Sequence, residues 1–248
     1  MPRYRLILEY DGRPFCGWQR QNNQMSVQSA LEEAVFRFCG ERTAAAAAGR
    51  TDAGVHAIAM PAQFDLETPR DPFRITEALN YHLRPLPVAV LSTEPVGGEF
   101  HVRFSAIARR YLYRIVNRRA PLALDAGRAH RVASPLDEKA MHSAAQAIIG
   151  KHDFSTFRAA SCQSASPVKT LTSLSVERVG DEVLVRAAAP SFLHHQVRSM
   201  VGTLIEVGVG RRDVASMREA LDARDRSQCG QVAPPEGLYF VEALYGAA

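Results

Sequence analysis

The feature that most restricts the fold is an order of elements that occurs twice. In residues 1–104 the hydrophobic periodicity predicts strand, helix, strand, strand, helix, strand. Residues 105–248 repeat that order once the loops and one extra helix are set aside, with no residue-level repeat beneath it. This is the split βαβ arrangement. The expectation is an α+β fold of two ferredoxin-like halves, 1–104 and 105–248, merging into a central, mainly antiparallel sheet with a cleft between them. Ligands favour such junctions.

Each element has its own signal. Arg3 to Tyr10 alternates, with Tyr4, Leu6, Leu8 and Tyr10 on one face. Ser26 can cap a helix over Val27 to Phe38, with Val27, Leu31, Ala34, Val35 and Phe38 as its apolar stripe and Gly40 as its stop. Asp71 and Pro72 open a helix that runs to Leu83. Ser105 to Val116 reads as a long strand, with Tyr111, Tyr113 and Ile115 on one face. Ser134 caps a helix over Leu136 to Ile149. Lys169 to Arg178 and Val183 to Ala189 form a hairpin. Helices follow within Ser191 to Val207 and over Asp213 to Leu221, and Leu238 to Leu244 is the closing strand.

Composition excludes several classes. Hydrophobic content is 46% and charged content 23%, ordinary for a globular chain. No apolar run approaches the roughly 20 residues that span a bilayer. The start, Met-Pro-Arg-Tyr-Arg, lacks the apolar core of a secretory signal, so a cytoplasmic protein with no membrane association is expected. Cys16, Cys39, Cys162 and Cys229 are too widely spaced for a metal site and read as free thiols. There is no Walker A loop and no dinucleotide fingerprint, so no cofactor is expected. The net charge of +4 is mild, but 27 of the 30 basic residues are arginine. Eight of these lie between Phe100 and Arg131 with one acid, Asp125. That stretch reads either as a solvated loop or as a contact for a nucleic-acid backbone. Trp18, in the polar loop after Tyr10, reads as a packing residue or as a platform for a base.

One octet carries the chemistry: Gly49-Arg50-Thr51-Asp52-Ala53-Gly54-Val55-His56. It sets a carboxylate in a loop between two glycines, which permit a sharp turn and close approach of a ligand. On the residues alone, Asp52 capping a turn and pairing with Arg50 is equally open. Three further segments bear on the choice: Ala108-Arg109-Arg110-Tyr111-Leu112-Tyr113-Arg114, Phe157-Arg158-Ala159 with Cys162-Gln163-Ser164, and Phe192-Leu193-His194-His195-Gln196-Val197-Arg198-Ser199-Met200-Val201-Gly202. Together, and in this order along nearly the whole chain, the four segments resemble the TruA family of tRNA pseudouridine synthases.

The resemblance implies isomerisation of uridine to pseudouridine at positions 38, 39 and 40 in the anticodon stem-loop of tRNA, by a homodimer without cofactor or metal. The base is detached from ribose, turned and rejoined through carbon, and a carboxylate can serve as nucleophile. The resemblance gives that role to Asp52 and makes Arg198 its ion-pair partner from the other half. An adjacent guanidinium offsets the desolvation that opposes ionisation. Arg198 as a helix surface charge is the alternative. Tyr111 would stack on a flipped uracil or help remove the proton from the ring carbon; on the residues alone it is an ordinary strand tyrosine. Arg50 would fill the place of the flipped base or bind a phosphate. The resemblance also makes the alanine run Thr43 to Ala48 a buried strand, although propensity favours helix.

His194 and His195, as neighbours on a helix, would point about 100° apart and not chelate; His56 is expected to shape the Asp52 loop. The alanine-rich strand lacks β-branched residues, and Gln196 stands where the family commonly has a bulkier apolar residue. Two other classes stay open. A non-catalytic RNA-binding protein would suit split βαβ halves but lacks the aromatic RNP signature. A nucleoside or glycoside hydrolase needs two carboxyl groups, and one good candidate is present.

Overall fold

A computed structural model describes residues 1–246. The fold is α+β, with mainly antiparallel strands, as the pattern predicts. Among the described residues no helix is long and apolar enough to cross a membrane. The chain forms two compact units: Met1–Arg109 with the chain from Tyr239 onward, and Arg110–Leu238.

The first unit holds β1 (Arg3–Tyr10), α1 (Val27–Cys39), β2 (Ala46–Ala47), β3 (His56–Asp65), α2 (Pro72–Leu83) and β4 (Val88–Val96). The expected order is present. β1 lies between β4 and β3, antiparallel to both. Its alternation buries Tyr4, Leu6, Leu8 and Tyr10. Ser26 caps α1 in a box with Ser29: each hydroxyl accepts the other residue's amide at 3.1 Å. Gly40 closes the helix at φ 78°. Asp71 caps α2 through the Phe73 amide, 3.0 Å.

The division expected at 104/105 differs from these units at both ends. The first unit extends to Arg109, whose buried guanidinium donates to the carbonyls of Ala48 (3.0 Å) and Ala106 (3.1 Å). The last strand also joins it in large part: Tyr239 and Phe240 pair in parallel with His56 and Ala57. Parallel pairing joins segments distant in sequence, so chain order could not place this strand.

The alanine run is a strand for only two residues, antiparallel to β3 at Gln63 and Ala62. Its preceding residue is held by α1 side chains instead. Glu32 Oε1 accepts the Ala45 amide at 2.9 Å, and Gln28 Nε2 donates to the Ala45 carbonyl at 3.1 Å. Both backbone groups of Ala45 are satisfied without a sheet partner. Glu32 is buried; Gln28 Nε2 bonds its Oε1 at 3.0 Å and Arg20 pairs with its Oε2. Gln28 Oε1 accepts the Arg20 amide, 3.0 Å. One turn of α1 thus ties the loop after β1 to the segment that leads into the octet.

The second unit begins within β5 (Ala106–Asn117) and continues with β6 (His130–Val132), α3 (Glu138–Gln146), β7 (Gly150–Asp153), β8 (Val168–Leu171), β9 (Ser173–Val179), β10 (Glu182–Ala189), α4 (Gln196–Gly208) and α5 (Ser216–Ala223); β11 (Leu238–Tyr245) starts at its last residue. β9 and β10 form the expected hairpin, turning at Gly180, φ 59°. β10 lies between β9 and β5. β6 runs parallel to the end of β5, and β7 pairs with β8 as a separate ribbon. At three or four residues, β6, β7 and β8 are too short for alternation to signal them.

Two helix starts differ from expectation. α3 is capped by Asp137, whose Oδ1 accepts the amides of Lys139 (3.0 Å) and Ala140 (2.9 Å). Ser134 precedes Pro135, and a residue before proline is driven out of the helical region. α4 starts only at Gln196, so His194 and His195 precede the helix; His195 caps it at φ 62°. Their rings lie 4.1 Å apart.

Glu32→Ala is expected to cost about 1–3 kcal/mol, because it leaves the buried Ala45 amide without its acceptor. Arg20→Ala should cost less than about 1 kcal/mol, since that guanidinium is largely exposed. Urea melts measure both. A Glu32→Ala loss no greater than that of Arg20→Ala would refute the anchoring role.

Candidate active site

The octet joins β2 to β3, and its shape is set by the loop after β1. The Thr51 carbonyl accepts the Trp18 amide at 3.0 Å, and the Thr51 hydroxyl lies 2.8 Å from that of Tyr10. Asp52 forms a backbone bridge with Gly17. The Val55 amide bonds the Asp52 carbonyl at 3.1 Å, closing a turn in which Gly54 takes φ 78°. Two glycines outside the octet make the approach possible. A Cβ on Gly12 would lie 2.1 Å from the Val55 carbonyl oxygen; one on Gly17, itself at φ 109°, would lie 2.5 Å from that of Thr51. Nothing in the periodicity points to these two positions, since the need arises only when the loops meet.

His56 fixes the end of the turn, as expected. Its Nδ1 lies 3.1 Å from the Gly12 amide nitrogen, within hydrogen-bond distance. The ring stacks on Tyr239 at 4.7 Å. Asp11 Oδ1 lies 3.3 Å from Nδ1. Burial would raise the Asp11 carboxyl, but hydrogen bonds from the Arg13 side chain and amide outweigh it and hold the pKa below the ordinary value. Trp18 and Phe15 are both buried, so Trp18 is a packing residue and not a base platform. Asp52 is half-buried on this scaffold and Arg50 is exposed.

In the second unit Tyr111, on β5, is half-buried and meets Phe192 edge to face, with ring centres 5.2 Å apart. Tyr113, two residues on, is fully buried, the core residue expected of it. Its hydroxyl donates to the Pro234 carbonyl at 2.7 Å. Burial pushes its pKa far above the usual phenol, with Glu236 adding to the rise and Arg198 opposing it.

Arg198 lies in the first turn of α4 and is half-buried. Its Nε donates to the Ala233 carbonyl at 2.8 Å, while its own carbonyl accepts the Ala233 amide at 3.1 Å. Residues 230–234 can reach it because Gly202 has no side chain; a Cβ there would lie 1.7 Å from the Gln231 carbonyl oxygen. Thr203 and Glu206 accept the amides of Gly230 (3.0 Å) and Gln231 (3.1 Å) on the same side. The 230–234 backbone is a site-building feature that the sequence pattern did not single out, whereas Phe192 opens one of the quoted segments without a role assigned to it there. Backbone carbonyls carry no residue-type signal.

The Phe157-Arg158-Ala159 and Cys162-Gln163-Ser164 segments hold the approach to α4. Arg158 Nη2 donates to the carbonyls of Cys162 (2.8 Å) and Ser164 (2.6 Å). The His194 carbonyl accepts the Ala159 amide at 3.0 Å, and Cys162 Sγ accepts the His194 amide at 3.4 Å. Burial would raise the Cys162 thiol, but hydrogen bonds from the Ser164 and His194 amides, with Arg158, bring it below its usual value. All four cysteines are unpaired thiols.

Comparison with known proteins bears on what this scaffold serves. The family model for tRNA pseudouridine synthase matches residues 6–105 and 144–246. The chain is 59% identical over 247 residues to the tRNA pseudouridine synthase A of Rhizorhabdus wittichii, covering 100% of this chain and 97% of that one. It is 60% identical over 245 residues to that of Rhodospirillum centenum, covering 99% and 100%. The corresponding protein of Zymomonas mobilis is 56% identical over 245 residues, with the same coverage. With the Asp52 octet, the β5 motif and the α4 motif each on an ordered scaffold, and with similarity running end to end, the chain belongs to the tRNA pseudouridine synthase family, enzymes that isomerise uridine.

Proposed function

We propose that this chain converts uridine to pseudouridine in the anticodon stem-loop of tRNA, at positions 38, 39 and 40, with Asp52 as nucleophile. The observation that carries the reading is the Asp52 loop itself: a half-buried carboxylate on a turn braced by Gly12, Gly17, Tyr10 and His56. A turn held by backbone at such short range keeps its carboxylate in one place, which is what a nucleophile needs.

In this reading the Asp52 carboxylate bonds to a carbon of the ribose or the pyrimidine while the bond from N1 to C1′ breaks. The freed uracil turns, C5 bonds to C1′, the carboxylate is released, and the proton lost from C5 is matched by one taken up at N1. Atoms and mass are conserved, so no redox partner or phosphate donor is needed. Tyr111 supplies a face for the flipped uracil and a phenol near the departing proton. Its edge-to-face contact with Phe192 fixes the ring plane. Arg198 supplies positive charge for substrate and carboxylate, oriented through its Nε bond to Ala233. Arg50, exposed beside Asp52, takes the place of the flipped base or binds a phosphate. The family resemblance also supports a cytoplasmic homodimer without cofactor or metal.

Asp52→Asn is expected to lower turnover by at least about 10³-fold, the scale seen when a reacting group is removed, while tRNA affinity stays near wild type. The assay is conversion of unmodified tRNA to a base isomer of unchanged mass. Free uracil would favour a hydrolase, and binding without any product a non-catalytic RNA-binding protein. Substantial pseudouridine from the Asn variant would remove Asp52 from the chemistry.

Tyr111→Ala should weaken tRNA binding by about 1–3 kcal/mol through lost stacking, and Tyr111→Phe should retain that binding. A fall of about 10²-fold or more in the single-turnover rate of the Phe variant would assign proton removal to the hydroxyl. Unchanged single-turnover kinetics in both variants would take Tyr111 out of the site.

A further inference from the structure

The arginine-rich stretch from Phe100 to Arg131 does not form one surface. Arg109 is an internal staple, bonded to the carbonyls of Ala48, Ala106 and Arg103. Arg103 lies over the Phe104 ring, 5.8 Å from its centre. Arg114 sits between Glu182 (2.6 Å) and Asp125 (3.1 Å), and so engages the one acid of the stretch.

Arg118, Arg119 and Arg131 are arranged differently. All three are exposed at the far end of β5. β6 runs beside that end with Arg131 opposite Val116. Arg131 Nη1 donates to the Arg119 carbonyl at 2.9 Å, and Arg118 Nη2 to the Pro121 carbonyl at 3.3 Å. These bonds tie two of the side chains to backbone of the same loop without neutralising them. Among the described residues no carboxylate forms an ion pair with any of the three. Asp181 is close enough for its carbonyl to accept the Asn117 amide at 2.7 Å, yet it pairs with none of them. Three exposed guanidiniums at one end of the strand, with no carboxylate committed to them, leave positive charge open to an external anion. A guanidinium has five donors in a planar fork that matches phosphate oxygens.

We propose that Arg118, Arg119 and Arg131 form a clamp for RNA phosphates remote from the reacting nucleotide. The inference rests on the reading of tRNA as substrate. Tyr111 lies on the same strand, six residues before its end at Asn117; at about 3.3 Å per residue the clamp stands roughly 20 Å from it. A rigid strand of that length fixes the spacing between the nucleotide that reacts and the phosphates that are gripped. The clamp therefore acts on affinity and register and leaves the chemistry to other residues.

The test uses the full-length protein and an unmodified tRNA transcript, with Kd measured across a salt series. The triple variant Arg118→Gln, Arg119→Gln, Arg131→Gln should flatten the slope of log K against log salt by about 2–3, the loss of three phosphate contacts. The double variant Arg118→Gln, Arg119→Gln keeps the Arg131 bond to the loop and should flatten it by about 1–2. Replacing all three by Lys should restore most of the slope, because the charge remains. The loss should fall on Kd, with the single-turnover rate at saturating tRNA changed far less. A wild-type slope in both Gln variants would overturn the clamp, as would a saturating rate that falls in step with affinity. If the wild-type protein binds tRNA and makes no pseudouridine, the catalytic reading fails, and the salt slopes still decide the clamp.

Discussion

Much of the first unit depends on the contact between two loops at backbone distance. The loop after β1 lies on the Thr51–Val55 turn so closely that neither Gly12 nor Gly17 has room for a Cβ. Hydrogen bonds from Trp18 to Thr51 and from Gly12 to His56 then lock the pair. Side chains reinforce it, with Tyr10 on the Thr51 hydroxyl and Trp18 buried beneath. A functional carboxylate on a loop is useful only if the loop has one conformation. Here that conformation comes from main-chain packing, which is less adaptable than contact through long side chains.

The second unit uses the same device around Arg198. Gly202 lets residues 230–234 ride directly on α4, and the arginine closes the contact with paired bonds to Ala233. Tyr113 clasps the next carbonyl, that of Pro234. A long flexible side chain is thereby ordered by a backbone that is itself held through Thr203 and Glu206. In both units a glycine with a strict spatial requirement stands beside a polar residue with a chemical one.

Polar and charged residues take their roles from where the fold places them. Glu32 is an acid outside the apolar stripe of α1, yet it is buried with its oxygens engaged by Ala45, Gln28 and Arg20. Arg109 and Arg114 come from one motif, and one is an internal staple while the other is paired with two acids. Residue counts by segment therefore say little about surface potential. The partners decide it, because a guanidinium committed to carboxylates no longer attracts an external anion.

The sequence by itself determined what depends on local physics. Alternation in Arg3–Tyr10 set the buried face of β1, Ser26 and Gly40 bounded α1, and Asp71 with Pro72 opened α2. These signals act within a few residues, so they survive without knowledge of the rest of the chain. The octet with Asp52, and Tyr111 and Arg198 as candidates, were legible through resemblance rather than periodicity. The tertiary structure decided what depends on distant neighbours. It placed most of the final strand with the first unit through pairing at His56, and it cut the alanine run to two strand residues because Glu32 and Gln28 took the bonds of Ala45. It moved the helix cap from Ser134 to Asp137 and set both histidines ahead of α4. It also showed that the close-approach glycines are Gly12, Gly17 and Gly202. A glycine's necessity lies in the atom it would strike, and that atom belongs to a segment distant in the chain: Val55 for Gly12, Thr51 for Gly17 and Gln231 for Gly202.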